Sequence, residues 1–99
     1  MTEVCLTILA TPEIEEKLLD QILVSDLAAT FASQPAASHG GHLGRLDEAE
    51  QVLGRAEAVM VTAVLDVASA DTLLVLLRER FSGAGLRYWL TPVIERGQL

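Results

Sequence analysis

The run AVMVTAVL, residues 58–65, constrains the fold of this chain more than any other feature. It is apolar at every position except Thr62, so a β-strand formed by it presents apolar side chains on both faces. It is also far shorter than the roughly 20 apolar residues that a membrane-spanning helix requires. The chain has 99 residues, which is room for one domain, and the run is expected to form a strand with apolar surface on two sides.

Three other segments have the composition and alternation of strands. They are residues 3–9, residues 30–35 and residues 86–94, while the strand that contains the apolar run is expected to cover residues 55–66. Pro92 lacks the N–H group that a central strand needs, so the last strand is expected to end at an edge or a bulge.

Two segments between these strands are predicted as helices. The first starts at Thr11-Pro12-Glu13, where a hydroxyl, a proline and an acid favour a helix N-terminus, and it stops near Ser25. The second begins at an N-cap, Ser69, and ends in the glycine-containing segment 82–85. Both carry apolar residues at helical spacing: Ile14, Leu18 and Ile22 in the first, and Leu73, Leu74, Leu77 and Phe81 in the second.

The order of these elements is β-α-β-β-α-β, which predicts an α+β, ferredoxin-like fold. Such a fold has an antiparallel four-stranded sheet with two helices on one face. No linker or shift in composition divides the chain, so residues 1–99 are expected to form a single domain. Small residues and three glycines predict a mobile loop over residues 36–44, and residues 46–53 fit either a helical turn or a strand extension.

The sheet face opposite the helices is expected to be polar in a monomer, but the strands are apolar on both faces. In the first strand, one face carries Val4, Leu6 and Ile8, and the other carries Cys5 and Leu9. In the last strand, one face carries Tyr88 and Leu90, and the other carries Trp89. Large exposed apolar patches usually mark an interface. We therefore expect a homo-oligomer packed through its sheet faces, with an exposed-face monomer as the alternative.

The charge balance narrows the range of partners. Fourteen acids against seven lysines and arginines give a net charge of −7, and Lys17 is the only lysine. Nucleic acids and anionic membrane surfaces attract clustered cations, so neither is expected as a partner, and direct membrane insertion is not expected either. Glu3 stands where a signal peptide carries positive charge, and the single cysteine cannot form an intrachain disulfide. These features favour a cytoplasmic location.

The sequence His39-Gly-Gly-His42 has the chemistry of a metal ligand. Neutral imidazoles bind zinc, copper or nickel, and glycines let a loop fold round an ion. Two histidines do not complete a site, so acids of the segment 47–50 or symmetry-related copies would have to add ligands. The alternative is a polar loop without a ligand. Cys5 lies within the first strand and is expected to be a buried core thiol.

Arginines and glycines together favour an anionic ligand. Arg55 and Arg87 supply guanidinium groups, and Gly83 and Gly85 allow backbone amides to approach an anion. Salt bridges to the many acids are the alternative. An enzyme is not expected, because the chain has no Walker-type glycine loop, no G-x-S-x-G motif and no nucleophile paired with its histidines.

Three segments resemble the PII-like superfamily of small trimeric signalling proteins. They are EQVLGR at residues 50–55, GAGLRYW at residues 83–89 and PVIE at residues 92–95. The likeness extends over almost the whole chain and is greatest to a PII-like group encoded beside heavy-metal efflux systems. Residues 35–54 resemble the flexible T-loop of that superfamily.

The resemblance implies a homotrimer whose sheets face a central axis, with ligand sites in the clefts between subunits. The matching positions for such a site are Gly54, Arg55, Gly83, Gly85 and Arg87. It also implies a regulatory protein that switches the 35–54 loop toward a partner, such as a membrane transport protein of a heavy-metal efflux system. The trigger would be a small ligand, or a metal ion at His39 and His42.

Two departures from the superfamily pattern narrow the expected ligands. The segment Ser82-Gly83-Ala84-Gly85 is shorter than the loop that holds the phosphates of ATP and has no lysine, so ATP is not the expected ligand. Residues 35–54 contain no tyrosine, so uridylylation is not expected. Two alternative functions stay open: a metal-binding tolerance protein resembling CutA, without signalling, and a small-molecule-binding domain of the amino-acid-sensor type.

Overall fold

The computed structural model describes residues 2–28, 30–40 and 55–99 and places four strands in one antiparallel sheet. The strands, in the spatial order β2-β3-β1-β4, are β1 (Glu3–Ala10), β2 (Thr30–Ser38), β3 (Ala56–Asp66) and β4 (Arg87–Pro92). The helices are α1 (Glu15–Ser25), preceded by a 3-10 helix (Pro12–Ile14), and α2 (Val67–Arg80). The predicted β-α-β-β-α-β order and the ferredoxin-like antiparallel sheet are confirmed.

The core lies between the two helices and one face of the sheet. Its fully buried side chains come from each of these elements: Leu6 and Ile8 on β1, Val61 on β3, Leu18 and Ile22 on α1, and Leu73 on α2. Each such side chain contributes about 1.5–3 kcal/mol through removal of its apolar surface from water. The apolar stripes predicted for the two helices are therefore the surfaces that hold the helices on the sheet.

The second helix begins three residues earlier than its sequence predicts. Asp66, not Ser69, is the N-cap: its carboxylate accepts a hydrogen bond of 2.8 Å from the Ser69 amide. The Ser69 hydroxyl donates to the same carboxylate at 3.1 Å. Asp66 also ends β3, so one residue terminates the strand and starts the helix. The prediction of Ser69 as the cap was wrong because a serine three residues into a helix can also support a cap.

The second strand is longer than predicted. It continues through Ser38, where pairing with Ala56 ends the β2–β3 ladder, so residues 35–38 of the predicted 35–54 loop belong to the strand. Alanine and serine have weak strand preference, and it is pairing with β3 that holds this segment extended. Residues 41–54, with His42, Gly54 and the ambiguous segment 46–53, lie outside the described residues.

The face of the sheet opposite the helices is defined by the strand register. One row across it contains Thr62, Thr7 and Trp89, and the next contains Met60, Leu9 and Arg87. We call this surface the open face. Cys5 is half-buried on the open face, so its prediction as a core thiol was wrong: β1 alternation turns it away from the helices. β4 is an edge strand that ends at Pro92, as the missing amide predicts.

Candidate functional site

One end of the sheet gathers most of the residues that the sequence singles out for binding. Ser38 and Ala56 form the last pair between β2 and β3, so His39 and Arg55 are the residues immediately beyond that pair. β4 begins at the same end with Arg87, which pairs with Leu9 near the end of β1. The topology therefore brings His39, Arg55 and Arg87 to one edge of the domain.

Arg87 connects the two outer strands of the sheet. Its Nη2 donates a hydrogen bond to the Ser38 Oγ at 3.2 Å, although β1 and β3 lie between β4 and β2. Both residues lie on the open face, Arg87 in the row of Leu9 and Ser38 in the series of Gln34. Arg87 thus contacts the last residue of β2, from which the chain runs to His39 and out of the sheet.

The turn between α2 and β4 contains both predicted glycines. Gly83 and Gly85 have φ of +80° and +77°, conformations that L-residues with a β-carbon seldom adopt. The Ala84 amide donates to the Phe81 carbonyl at 3.1 Å, which closes the turn after the helix. This turn leads directly into Arg87, so the glycines position the start of β4.

A cavity of about 410 Å³ lies beside this turn on the helix side of the sheet. Its walls are mainly apolar and come from β1, α2 and the segment that leads into β4: Ile8, Leu74, Leu77, Phe81 and Leu86. Gly83 and Gly85 line it, whereas Arg87 points to the open face and does not. The structure therefore divides the predicted group, with the two glycines at the cavity and Arg87 on the other side of the sheet.

Two polar side chains that sequence reasoning missed complete the cavity. Arg78 Nη2 donates to the Tyr88 Oη at 2.8 Å, and both residues line the cavity. The Arg78 Cζ lies 5.8 Å from the centre of the Tyr88 ring, so the hydroxyl rather than the ring face is its main contact. Leu74, Arg78 and Phe81 share one face of α2 at helical spacing, a periodicity that could have indicated Arg78.

The arginines near this end of the domain are not neutralised by described acids. Within residues 2–28, 30–40 and 55–99, an ion pair joins Arg96 to Glu3 at 2.8 Å, and arginines 55, 78, 80 and 87 make none. Arg78 and Arg87 instead bond to hydroxyl groups. Salt bridges to acids were the alternative for Arg55 and Arg87, and neither arginine forms one with an acid in the described part of the chain.

The predicted metal ligands are only partly described. His39 is exposed, directly after β2, whereas His42 lies outside the described residues. Among the residues that the structure describes, no group of three histidine, cysteine, aspartate or glutamate side chains is placed to hold a metal ion. A metal site at His39 and His42 stays a prediction.

The two helices are also too short and polar for a membrane. No helix in the described part of the chain has the length and apolar character needed to cross one.

Solved structures of three proteins share this architecture. A DUF3240 family protein from Shewanella baltica OS155 superposes with a TM-score of 0.82 at 19% identity, over 100% of this chain and 98% of that chain. CPII from Thiomonas intermedia K12, a nitrogen regulatory PII-like protein bound to ADP, AMP and bicarbonate, gives a TM-score of 0.73 at 13% identity, over 99% and 98% of the two chains. The divalent cation tolerance protein CutA from Archaeoglobus fulgidus gives 0.71 at 18% identity, over 97% and 87%.

These likenesses show the fold, because all three identities are below the level at which a shared function follows. No curated protein matches the chain. The family model for DUF3240, described as a protein of unknown function, matches residues 1–99. The predicted PII-like fold is thereby confirmed, and the chain belongs to the DUF3240 family.

Proposed function

We propose that this protein is a PII-like regulatory protein that binds a small anionic ligand on the open face, at the sheet end where Arg55 and Arg87 lie. One observation carries the proposal: Arg87 reaches across the sheet to Ser38, the last residue before the chain leaves β2. In a chain of net charge −7, Arg55 and Arg87 lie at the same end of the sheet, and neither forms an ion pair with an acid among the described residues.

The Arg87–Ser38 contact supplies a route from ligand to loop. A phosphate or carboxylate binds a guanidinium more strongly than a neutral hydroxyl does, because a charge-assisted hydrogen bond is roughly twice as strong. The guanidinium has five N–H donors, and an anion whose two-point contact uses Nη2 of Arg87 competes with Ser38 for that donor. Release of Ser38 changes the end of β2 and hence the start of the segment that resembles a T-loop. The proposed role is therefore ligand binding that changes the loop, and not catalysis.

The active form in this proposal is a homotrimer that packs through the open face. Support comes from that face itself, on which Cys5, Leu9, Met60 and Val64 are half-buried and Trp89 is 44% exposed. In such an assembly the sheet ends of adjacent subunits lie side by side, which would bring further donors to the anion. The partner of the switched loop would be a membrane transport protein of a heavy-metal efflux system.

The test is native mass spectrometry and calorimetry with ADP, AMP and ATP, using wild type, Arg87→Ala and the control Arg80→Ala. Arg80 is exposed in the last turn of α2 and does not line the cavity. We expect a nucleotide to bind wild type and Arg80→Ala alike, and Arg87→Ala about tenfold more weakly. Nucleotide binding that is equal in all three proteins would contradict the proposal, and its absence from wild type would exclude the adenine nucleotides as the anion.

A metal-responsive loop is the second candidate function, and it depends on the position of His39. That imidazole is exposed and directly follows Ser38, so an ion held there would lie next to the Arg87 contact. Zinc, copper and nickel are the ions that imidazole suits. Native mass spectrometry with each metal, on wild type and on a variant carrying both His39→Ala and His42→Ala, would show a bound ion only in wild type.

A further inference from the structure

We infer that the cavity between α2 and β4 is a second binding site, for a small amphipathic carboxylate with an apolar body and a single negative charge. The site lies on the helix side of the sheet and does not include Arg87 or the open face. It is therefore independent of the anion site proposed above.

The side chains that line the cavity are mainly apolar and favour a ligand with an apolar body. Ile8, Leu74 and Leu77 are 2%, 6% and 5% exposed and form its floor, and Phe81 and Leu86 extend the apolar surface. The volume of about 410 Å³ falls within the range of small-molecule sites, roughly 300–1,000 Å³. A fully polar ligand would leave most of this surface without a favourable contact.

The polar groups at the edge of the cavity, Arg78 and Tyr88, favour a carboxylate as the charged part of the ligand. Arg78 uses Nη2 on Tyr88, and its planar guanidinium has five N–H donors, so donors remain for a two-point contact with a carboxylate. The Tyr88 hydroxyl accepts from Arg78 and keeps its own hydrogen to donate. Both groups therefore present donors to the same ligand oxygen atoms.

The charge of the site fits one negative group and not several. Arg78 and Arg80 both lie in the last turn of α2, whose C-terminal pole carries about half a negative charge. Together with Glu79, which is exposed between the two arginines, that pole leaves the end of α2 only weakly positive. Among the described residues, Arg78 is the charged side chain that lines the cavity, so a nucleotide with several phosphate charges lacks matching donors there, whereas a monocarboxylate does not.

The glycine turn keeps the entrance to the cavity clear. A β-carbon added at Gly83 would meet no atom within 4 Å, so the space beside this residue is open. Ser82, next to it in the lining, adds a hydroxyl at the same rim.

The experiment titrates the full-length protein with 3-phenylpropionate and follows the methyl groups by carbon–proton NMR, with 3-phenylpropanamide as the uncharged control ligand. We expect shifts at the methyls of Ile8, Leu74, Leu77 and Leu86 and none at Leu9, which lies on the open face. Arg78→Leu should weaken binding about tenfold, and Tyr88→Phe several-fold. Arg80→Leu, at an equally exposed arginine of the same turn, should bind like wild type.

Three results would overturn the inference: acid and amide bind equally, Arg78→Leu and Arg80→Leu lose the same affinity, or the shifts appear at Leu9. Because Arg78 and Tyr88 are exposed, the variants should fold, which circular dichroism checks. Loss of nucleotide binding in Arg87→Ala with unchanged 3-phenylpropionate binding separates this site from the proposed anion site.

Discussion

Arg87 on β4 donates to Ser38 on β2 at 3.2 Å, although two strands separate them. In a flat sheet three strand spacings amount to about 14 Å, which is more than an arginine side chain spans. The end of the β2–β3 hairpin must therefore curl over the open face toward β4. It is free to do so because Ser38 and Ala56 pair beyond the end of β1, whose last residue, Ala10, pairs with Val59.

Removal of the Arg87 side chain should loosen the end of β2 without unfolding the domain. Since both partners are solvent-accessible, Arg87→Ala should lower the free energy of unfolding by less than about 1 kcal/mol. Amide hydrogen exchange should become faster in residues 36–38 and stay unchanged in β1. Arg80→Ala is the control, and equal exchange in both variants would show that the contact does not hold the hairpin.

A charge on the open face should dissociate the proposed oligomer. Met60→Asp places a carboxylate at the centre of that face, where an interface would have to desolvate it. Light scattering coupled to size exclusion should report a trimer for wild type and a monomer for Met60→Asp. Val24→Asp, on the exposed surface of α1, is the matched control and should leave the trimer intact. A trimer in all three proteins would place the interface elsewhere.

Truncation of a core leucine of α2 should cost far more than truncation of a surface residue of the same helix. Leu73 is 0% exposed and Val75 is 53% exposed. Leu73→Ala should reduce the free energy of unfolding by about 2–5 kcal/mol, because it removes buried methyl groups and leaves a cavity. Val75→Ala should change it by less than about 0.5 kcal/mol, as measured by urea denaturation at the same protein concentration. Similar losses in both would mean that α2 does not pack as described.

Substitution of Gly83 should destabilise the protein through backbone strain, not through steric overlap with neighbouring atoms. Alanine there meets no neighbouring atom, but the φ of +80° is strained for a residue with a β-carbon. Gly83→Ala should therefore destabilise the protein by about 1–2 kcal/mol. Gly97→Ala, where a β-carbon also has open space and no positive φ is found, should be neutral by thermal denaturation.

The N-cap of α2 should make the free energy of unfolding decrease as the pH is lowered. Hydrogen bonds from the Ser69 amide, and then from the Ser69 hydroxyl, hold the pKa of Asp66 below its ordinary value. The ionised carboxylate therefore stabilises the fold above its unfolded-state pKa of about 3.9, and that contribution is lost as pH falls through the folded-state pKa.

Asp66→Ser keeps a capping oxygen but removes the titration, so it isolates this effect. The melting temperature of Asp66→Ser should lie a few degrees below that of wild type at pH 6, and the gap should close as pH falls toward 3. Melting curves at several pH values measure it. A gap that is constant with pH would show that the carboxylate charge contributes nothing at this cap.

β3 and the end of β2 differ in how well their own residues predict them. The continuous apolar run of β3 and its terminal Asp66 are local features, so the predicted strand, residues 55–66, agrees with the observed one to within one residue. The Ala-rich end of β2, in contrast, has little preference of its own and is extended because Ser38 pairs with Ala56. The candidate site residues divide in the same way: Gly83 and Gly85 were predicted from their place just before Arg87 and from the family resemblance, whereas Arg78 was not predicted.

The sequence by itself determined the order of strands and helices, the apolar core and the apolar open face. Each depends on side-chain periodicity along a single element, and that periodicity can be read from residues close together in the chain. Only the tertiary structure decided that Arg87 meets Ser38, that Arg78 meets Tyr88, and that Gly83 and Arg87 lie on opposite sides of the sheet. Those relationships depend on the register and coiling of strands that are distant in the chain, and no local pattern encodes them.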